Sequence, residues 1–194
     1  MTSPGKVVLT ITMSLDGFIA GPNANSTNPL GDGGERLHDW IFKTKTDIDA
    51  KILEELMETS GAVIVGGRTY HDAIDNAWRG VTPFSIPAIV LTKRVQKGPK
   101  KGFSFVTEGI EAALAQAKSV AGNKNVWIMG GATIIQQFIK ARLFDELNID
   151  IAPVLFLEGK RLFEQLGTEK IELDNIAVVG TQGAVHLKFG NKQF

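Results

Sequence analysis

Val63-Ile64-Val65-Gly66-Gly67-Arg68-Thr69 and Trp127-Ile128-Met129-Gly130-Gly131-Ala132-Thr133 repeat one design. Each run opens with apolar, strand-forming residues of the kind buried on both faces of a sheet. Each then passes through two glycines into a segment that reads as a helix. After Gly131 the apolar residues Ile134, Ile135, Phe138 and Ile139 recur at helical spacing through about Lys140, and the first run continues as a helix through about Ile74. A strand that feeds a helix through a tight turn, twice over, is the unit from which parallel sheets are built.

The alternation extends outward in both directions. Residues 6–13 read as a covered, central strand. Thr46 and Asp49 form a capping-box pattern that opens a helix over 46–59, with Ile48, Ile52, Leu53, Leu56 and Met57 on one face and a stop near Gly61. Further strands are predicted over 62–65, 87–91, 103–106 and 125–129, and an Ala-rich helix over 110–121 ends before Gly122. Past Phe144, Leu147, Ile149 and Ile151 alternate with Asn148 and Asp150, and Val185, Leu187 and Phe189 alternate with His186 and Lys188, the pattern of half-exposed strands. Residues 171–179 and 184–189, joined by 180–183, read as an antiparallel hairpin. The expected fold is α/β, a three-layer sandwich with a mainly parallel central sheet and an antiparallel C-terminal hairpin, one domain over 1–194. Residues 14–45, rich in Gly, Asn, Pro and Asp, read as a long loop, which a compact domain keeps when the loop has a task.

Composition narrows the function. The 194 residues are 43% apolar and 22% charged, ordinary for a globular chain. Lys plus Arg equals Asp plus Glu at 21 each, so no global field draws in a polynucleotide or an anionic membrane. The absence of cysteine removes disulfides, thiolate zinc sites, iron–sulfur clusters and cysteine nucleophiles. His38, His71 and His186 are too scattered for a metal motif, so no metal is expected. No apolar run approaches the roughly 20 residues of a membrane span and no leader pattern precedes the first strand, so the expected location is cytoplasmic.

The glycine pairs carry the chemistry. Unpaired amides and a positive macrodipole make a helix N-terminus an anion site, and glycine lets a phosphate approach the backbone. Two such ends, Gly66, Gly67, Arg68 and Thr69 with Gly130, Gly131, Ala132 and Thr133, would hold the two phosphates of a dinucleotide. The bland reading is that the glycines only permit tight turns. Neither copy has the Gly-x-Gly-x-x-Gly of a Rossmann fold or the Gly-Lys-Ser/Thr of a Walker loop. Leu91, Thr92, Lys93 and Arg94 end another strand with a hydroxyl and two cations, groups that suit a 2′-phosphate and argue for NADPH over NADH. The alternative is a solvated basic loop shared with Lys97, Lys100 and Lys101.

In this order the motifs resemble the dihydrofolate reductase superfamily. They are closest to stand-alone relatives of the reductase domain of the bifunctional riboflavin-pathway deaminase/reductase. The likeness is carried by Ser14-Leu15-Asp16-Gly17-Phe18-Ile19-Ala20, Gly66-Gly67-Arg68-Thr69, Leu91-Thr92-Lys93-Arg94, and the run from Val126 through Asp145-Glu146-Leu147 to Pro153-Val154-Leu155, and it covers nearly the whole chain. It implies an NADPH-dependent oxidoreductase. The diphosphate would lie on the Gly67 and Gly131 helix starts, the 2′-phosphate near Thr92 to Arg94, and the nicotinamide under the loop 14–20.

A hydride acceptor also needs a proton, and two carboxylates are candidates. Asp16 is the sole ionisable side chain of the loop. Asp39 begins Asp39-Trp40-Ile41-Phe42, which resembles the Asp/Glu-x-x-aromatic pattern of dihydrofolate reductases, although a displacement of one or two residues would put Leu37 or His38 there. Asp39 also reads as a helix cap, and Asp16-Gly17 as a turn. Without cysteine the zinc deaminase half is missing, so any riboflavin role is reduction alone. Arg36, Arg79 and Arg161 are further anion-binding candidates. The resemblance implies reduction of a ribosylaminopyrimidine phosphate, with a pteridine as the alternative substrate and a non-catalytic NADPH-binding sensor as the alternative of another class. It also implies a homodimer with contacts from Leu155, Phe156, Leu157 and the C-terminal strands.

Overall fold

The computed structural model describes residues 4–74, 77–94 and 102–192; Lys97, Lys100 and Lys101 lie outside the described residues. The chain runs β1 (Val7–Ser14), β2 (Phe18–Ala20), a 3-10 turn (Gly34–His38), α1 (Asp39–Phe42), α2 (Asp47–Thr59), β3 (Ser60–Gly66), α3 (Gly67–Ile74), β4 (Ala88–Leu91) and β5 (Phe103–Val106). It continues with α4 (Ile110–Ala121), β6 (Asn125–Met129), α5 (Ala132–Lys140), β7 (Glu146–Ala152), β8 (Lys160–Arg161), β9 (Leu173–Gly180) and β10 (Val185–Asn191). Eight strands form one sheet in the order β5-β4-β3-β6-β1-β7-β10-β9, the first six parallel and β10 antiparallel to both β7 and β9.

The pleat divides the residues of each strand between two helical layers. Val7, Leu9 and Ile11 of β1, Ala62 and Ile64 of β3, and Val126 and Ile128 of β6 pack against α4 and α5. Phe138 and Ile135 of α5 are fully buried there, which pins the first turn of that helix over the ends of the strands. Truncating Phe138 to Ala would cost about 3–5 kcal/mol in lost contacts and cavity. On the opposite face Val63, Val65, Val90 and Trp127 meet Tyr70 and Ile74 of α3 in an aromatic layer with Trp78, Phe84 and Phe103. The expected capping box is present: Thr46 Oγ1 accepts from Asp49 N–H, while the Asp49 carboxylate accepts from Thr46 N–H. Gly122 closes α4 at φ 63°, a conformation that disfavours a side chain.

Two expectations need correction. Residues 14–45 are not one loop, because they contain β2, the 3-10 turn and α1. The three residues of β2 pair with β8, about 140 positions later, and such a partner leaves no local pattern to read. The polar positions of β7 and β10 were expected on an exposed face, yet Asp150 and His186 are each only 6% exposed. That face is covered by α2 and by Trp40 of α1, and Asp150 and His186 are satisfied by one another.

Candidate functional site

The carboxyl ends of β3, β4 and β6 open on a groove of about 540 Å³. Its lining includes Gly66, Gly67, Arg68, Thr69, Leu91, Thr92, Lys93, Arg94, Gly131 and Thr133, so three separate motifs meet in one place. Gly130 and Ala132 belong to the same turn behind it. Open α/β sheets place ligands at this edge. Gly66 ends β3 and Gly67 begins α3, while Gly131 is the N-cap of α5, so two helix N-termini face the same space.

The glycines are required for different reasons. None of Gly66, Gly67, Gly130 and Gly131 has a positive φ. A Cβ on Gly67 would stand 2.9 Å from the Cβ and Oγ1 of Thr92, so the contact between the start of α3 and the residue after β4 excludes a side chain. A Cβ on Gly130 would run into Ile135 Cγ1. On Gly131 it would meet only Thr69 Oγ1, at an ordinary 3.5 Å. The protein itself tolerates a methyl there, and the space it would fill belongs to the groove.

The charge of the groove is concentrated although the chain as a whole is neutral. Arg68, Lys93, Arg94 and Lys160 line it against the single carboxylate of Asp72, which stands 3.5 Å from Arg68 Nε. Thr92 Oγ1 accepts from Arg94 N–H at 3.2 Å and shapes the turn that carries Lys93 and Arg94. Lys160, with Thr107, Gly109 and Gln137, was not legible as a lining residue. Burial, and then repulsion from Arg68, holds its ammonium below the usual lysine range.

Loop 14–20 lies beside this edge. The Asp16 carboxylate accepts from Ser14 Oγ at 2.6 Å, Leu157 N–H at 2.8 Å and Phe156 N–H at 3.1 Å. Desolvation alone would raise its pKa, but these three bonds outweigh it and hold the group below the usual carboxylate range. Asp39 opens α1 and pairs with Lys43 at 2.8 Å and Arg36 at 3.5 Å. Arg161 donates to Asp16 O at 3.1 Å and stacks 4.3 Å over the Phe18 ring, while Arg79 is exposed.

Sequence reasoning missed a buried polar cluster. Thr10 of β1 pairs with Met129, the last residue of β6, and Thr12 lies two residues further along β1. In the same row Thr12 pairs with Asp150 of β7, and Asp150 with His186 of β10. His186 Nδ1 lies 2.7 Å from Asp150 Oδ1, and Nε2 lies 2.8 Å from Asp49 Oδ1, which descends from α2. Trp40 packs edge-on against the imidazole at 5.0 Å and donates from Nε1 to Thr12 Oγ1. Desolvation opposes the imidazolium, yet bonds and charges from Asp150 and Asp49 prevail and raise the His186 pKa. Asp49 pays for burial too, but Thr46 and His186 hold its carboxyl below the usual range. A crevice of about 380 Å³ beneath α2 ends on Asp150 and His186, with Thr10 Oγ1 and Asn148 Oδ1 in its lining and unpartnered among the described residues. The signal available in the sequence was polar residues at inward register on two neighbouring strands, visible only once those strands are paired.

The model of the RibD C-terminal domain family matches residues 5–185. The uncharacterized protein YwjB of Bacillus subtilis (strain 168) is 28% identical over 183 residues, 93% of this chain and 96% of its own. Among solved structures, a Shewanella sp. PV-4 protein provisionally named a riboflavin biosynthesis protein superposes with TM-score 0.74 at 22% identity, over 97% of this chain and 99% of its own. Dihydrofolate reductase from Enterococcus faecalis, complexed with NADP(H) and RAB-propyl, superposes with TM-score 0.63 at 18% identity over 100% of both chains. At these identities the structural likeness is one of fold, and it is the α/β fold with a mostly parallel sheet and antiparallel C-terminal strands. Among the described residues no helix is long and apolar enough to cross a membrane.

Proposed function

Because the chain belongs to the RibD C-terminal domain family, we propose that it is an NADPH-dependent reductase of the riboflavin-pathway type, acting on a compound like 5-amino-6-(5-phosphoribosylamino)uracil. The observation that carries this reading is the groove in which two glycine-led helix starts face four cations, in a chain whose charges balance overall. The residues fit the cofactor: Gly131 leaves free the space that a Cβ would fill, and no contact inside the protein requires it. The amides at Gly67 and Gly131 with Thr69 and Thr133 would hold the diphosphate, and Thr92, Lys93 and Arg94 the 2′-phosphate. When bound, NADPH supplies a hydride.

The chain's own residues supply the rest. Both ring nitrogens of His186 face carboxylates, Asp49 Oδ1 on one side and Asp150 Oδ1 on the other, an arrangement that favours the doubly protonated ring. Thr12 Oγ1, 3.5 Å from Asp150 Oδ2, extends this store along β1. Asp16 acts by fixing the loop through its three bonds, and Asp39 by anchoring α1, which carries Trp40 onto His186. The crevice beneath α2 gives a small polar molecule access to the Asp150 and His186 pair. A built proton store favours catalysis over a sensor that only binds the cofactor. A homodimer belongs to the same reading, with exposed Leu155 and Leu157 and the apolar residues Ile176 and Val178 of β9 as its surface.

Titration with NADPH and NADH, followed by quenching of Trp fluorescence, tests the cofactor. Wild type should prefer NADPH, and Arg94→Ala should weaken NADPH by about tenfold or more while leaving NADH unchanged, as expected for loss of a charged hydrogen bond. No binding of either dinucleotide defeats the proposal. Turnover of a ribosylaminopyrimidine phosphate supports the substrate, and turnover of dihydrofolate in its place moves the assignment to the pteridine reaction.

A further inference from the structure

Lys160 stands apart from the other cations of the groove. Residues 14–20 lead from β1 into β2, and β8 returns to pair with β2 as a two-stranded sheet separate from the main one, with Ala20 opposite Lys160 and Phe18 opposite Arg161. The pairing is close enough that Gly159, at φ 138°, could not carry a Cβ without striking the carbonyl oxygen of Ala20. Glycine at that position therefore serves to set the next residue, and the next residue is a lysine that points into the groove beside Thr133 and Arg68. Leu162, fully buried, donates from its N–H to Gly17 O and fixes the other end of the strap.

The surroundings of the ammonium are unfavourable as they stand. Its nearest polar contact is Thr133 Oγ1 at 3.5 Å, a long and weak bond. Among the described residues it has no carboxylate partner, whereas Arg68 has Asp72. A half-buried cation beside a second cation loses hydration and gains repulsion, and only an anion between them reverses both. The two helix N-termini at Gly67 and Gly131 aim at that same gap.

We propose that Lys160 is a ligand for the diphosphate of the bound dinucleotide, reaching it from β8, and that the β2–β8 strap thereby ties the loop 14–20 to the occupied groove. The proposal rests on the reading of the groove as a dinucleotide site. It assigns Lys160 a role different from that of Lys93 and Arg94: the diphosphate is common to NADPH and NADH, whereas the 2′-phosphate is not.

The test compares Lys160→Met, which keeps the length and apolar stem of the side chain, with Lys160→Arg and Arg94→Ala. Binding of NADPH and NADH is followed by Trp fluorescence, inorganic pyrophosphate serves as a competing probe, and a thermal melt confirms folding. Lys160→Met should weaken both dinucleotides by a similar factor of about ten and lower the competing strength of pyrophosphate. Its affinity should also fall less steeply with added salt, and Lys160→Arg should restore binding. Arg94→Ala should affect NADPH alone. Wild-type affinity in Lys160→Met for both dinucleotides, or a loss confined to NADPH, overturns the assignment. A wild-type protein that binds neither dinucleotide ends the reading of the groove, and the role of Lys160 falls with it.

Discussion

Adding one methyl group at each glycine of the Gly130-Gly131 pair separates what the fold needs from what the ligand needs. In Gly130→Ala the new Cβ collides with Ile135 Cγ1 and comes within 2.8 Å of its Cδ1, and Ile135 is fully buried beneath the sheet ends. Overpacking of this kind costs about 1–3 kcal/mol. For a chain of this size each kcal/mol lowers Tm by about 2–4 °C, so a fall of roughly 2–12 °C is expected. In Gly131→Ala the nearest protein atom is Thr69 Oγ1 at 3.5 Å, and φ −91°, ψ 170° is a backbone that alanine adopts freely. The gain of about 0.4–1 kcal/mol from restricting the unfolded chain is offset by the slight preference for glycine over alanine at an N-cap. The Tm of this variant should stay within about 2 °C of wild type. Its methyl group, however, occupies the groove where a phosphate would meet the α5 amides, so NADPH affinity should fall at least tenfold, about 1.4 kcal/mol. Differential scanning fluorimetry and Trp quenching on the same samples read both quantities. Wild-type NADPH affinity in Gly131→Ala refutes the argument from close approach, and equal loss of Tm in the two variants refutes the argument from packing.

Asp16→Asn removes the charge that accepts from Ser14, Phe156 and Leu157, and should lower steady-state turnover severalfold with dinucleotide affinity unchanged; a parallel loss of both would show that the loop is not what it fixes. Thr46→Ala deletes one arm of the capping box over α2 and should cost about 1 kcal/mol in a urea melt, with no loss meaning that the cap is not formed in solution. The His186 cluster should leave a signature in stability against pH. The folded pKa of His186 is raised above 6.5, so its contribution is complete below 6.5 and is lost as pH rises through the folded value. That of Asp49 is lowered from 3.8, so its contribution is present above 3.8 and is lost as pH falls through the folded value. Urea melts of wild type should therefore lose stability as pH climbs above 6.5 while His186→Gln does not, and parallel curves would remove the imidazolium from the account.

How much of this was legible follows from the range of each signal. The strand-Gly-Gly-helix runs, the capping box at Thr46 and the α4 stop at Gly122 are patterns within ten residues, and the structure forms all three where the sequence puts them. The parallel order of the strands and the meeting of the Gly66, Leu91 and Gly131 turns in one groove follow from those units, because helices on the faces force the strand ends together. Lys160 and the Asp49–His186–Asp150 cluster rest on other information. Each depends on which residue of one strand lies opposite which residue of another, and a shift of one residue would turn Asp150 and His186 to the opposite face.

The placement of the carboxylates shows why nearness to a loop is a weak guide to a proton source. Asp16 and Asp39 lie in the segment where a substrate is expected; three donors hold the Asp16 carboxyl below the usual range, and Asp39 is paired with Lys43 and Arg36. A group fixed as an anion is a poor donor at neutral pH. Asp49 and Asp150 between them raise the pKa of the His186 imidazole above its ordinary value. On the proposed reading, the carboxylates of the cluster hold the proton on His186. The burial of these groups behind Thr12 and Trp40 matters to that reading: fully exposed, the same three groups would be screened and the imidazole would return toward its ordinary pKa.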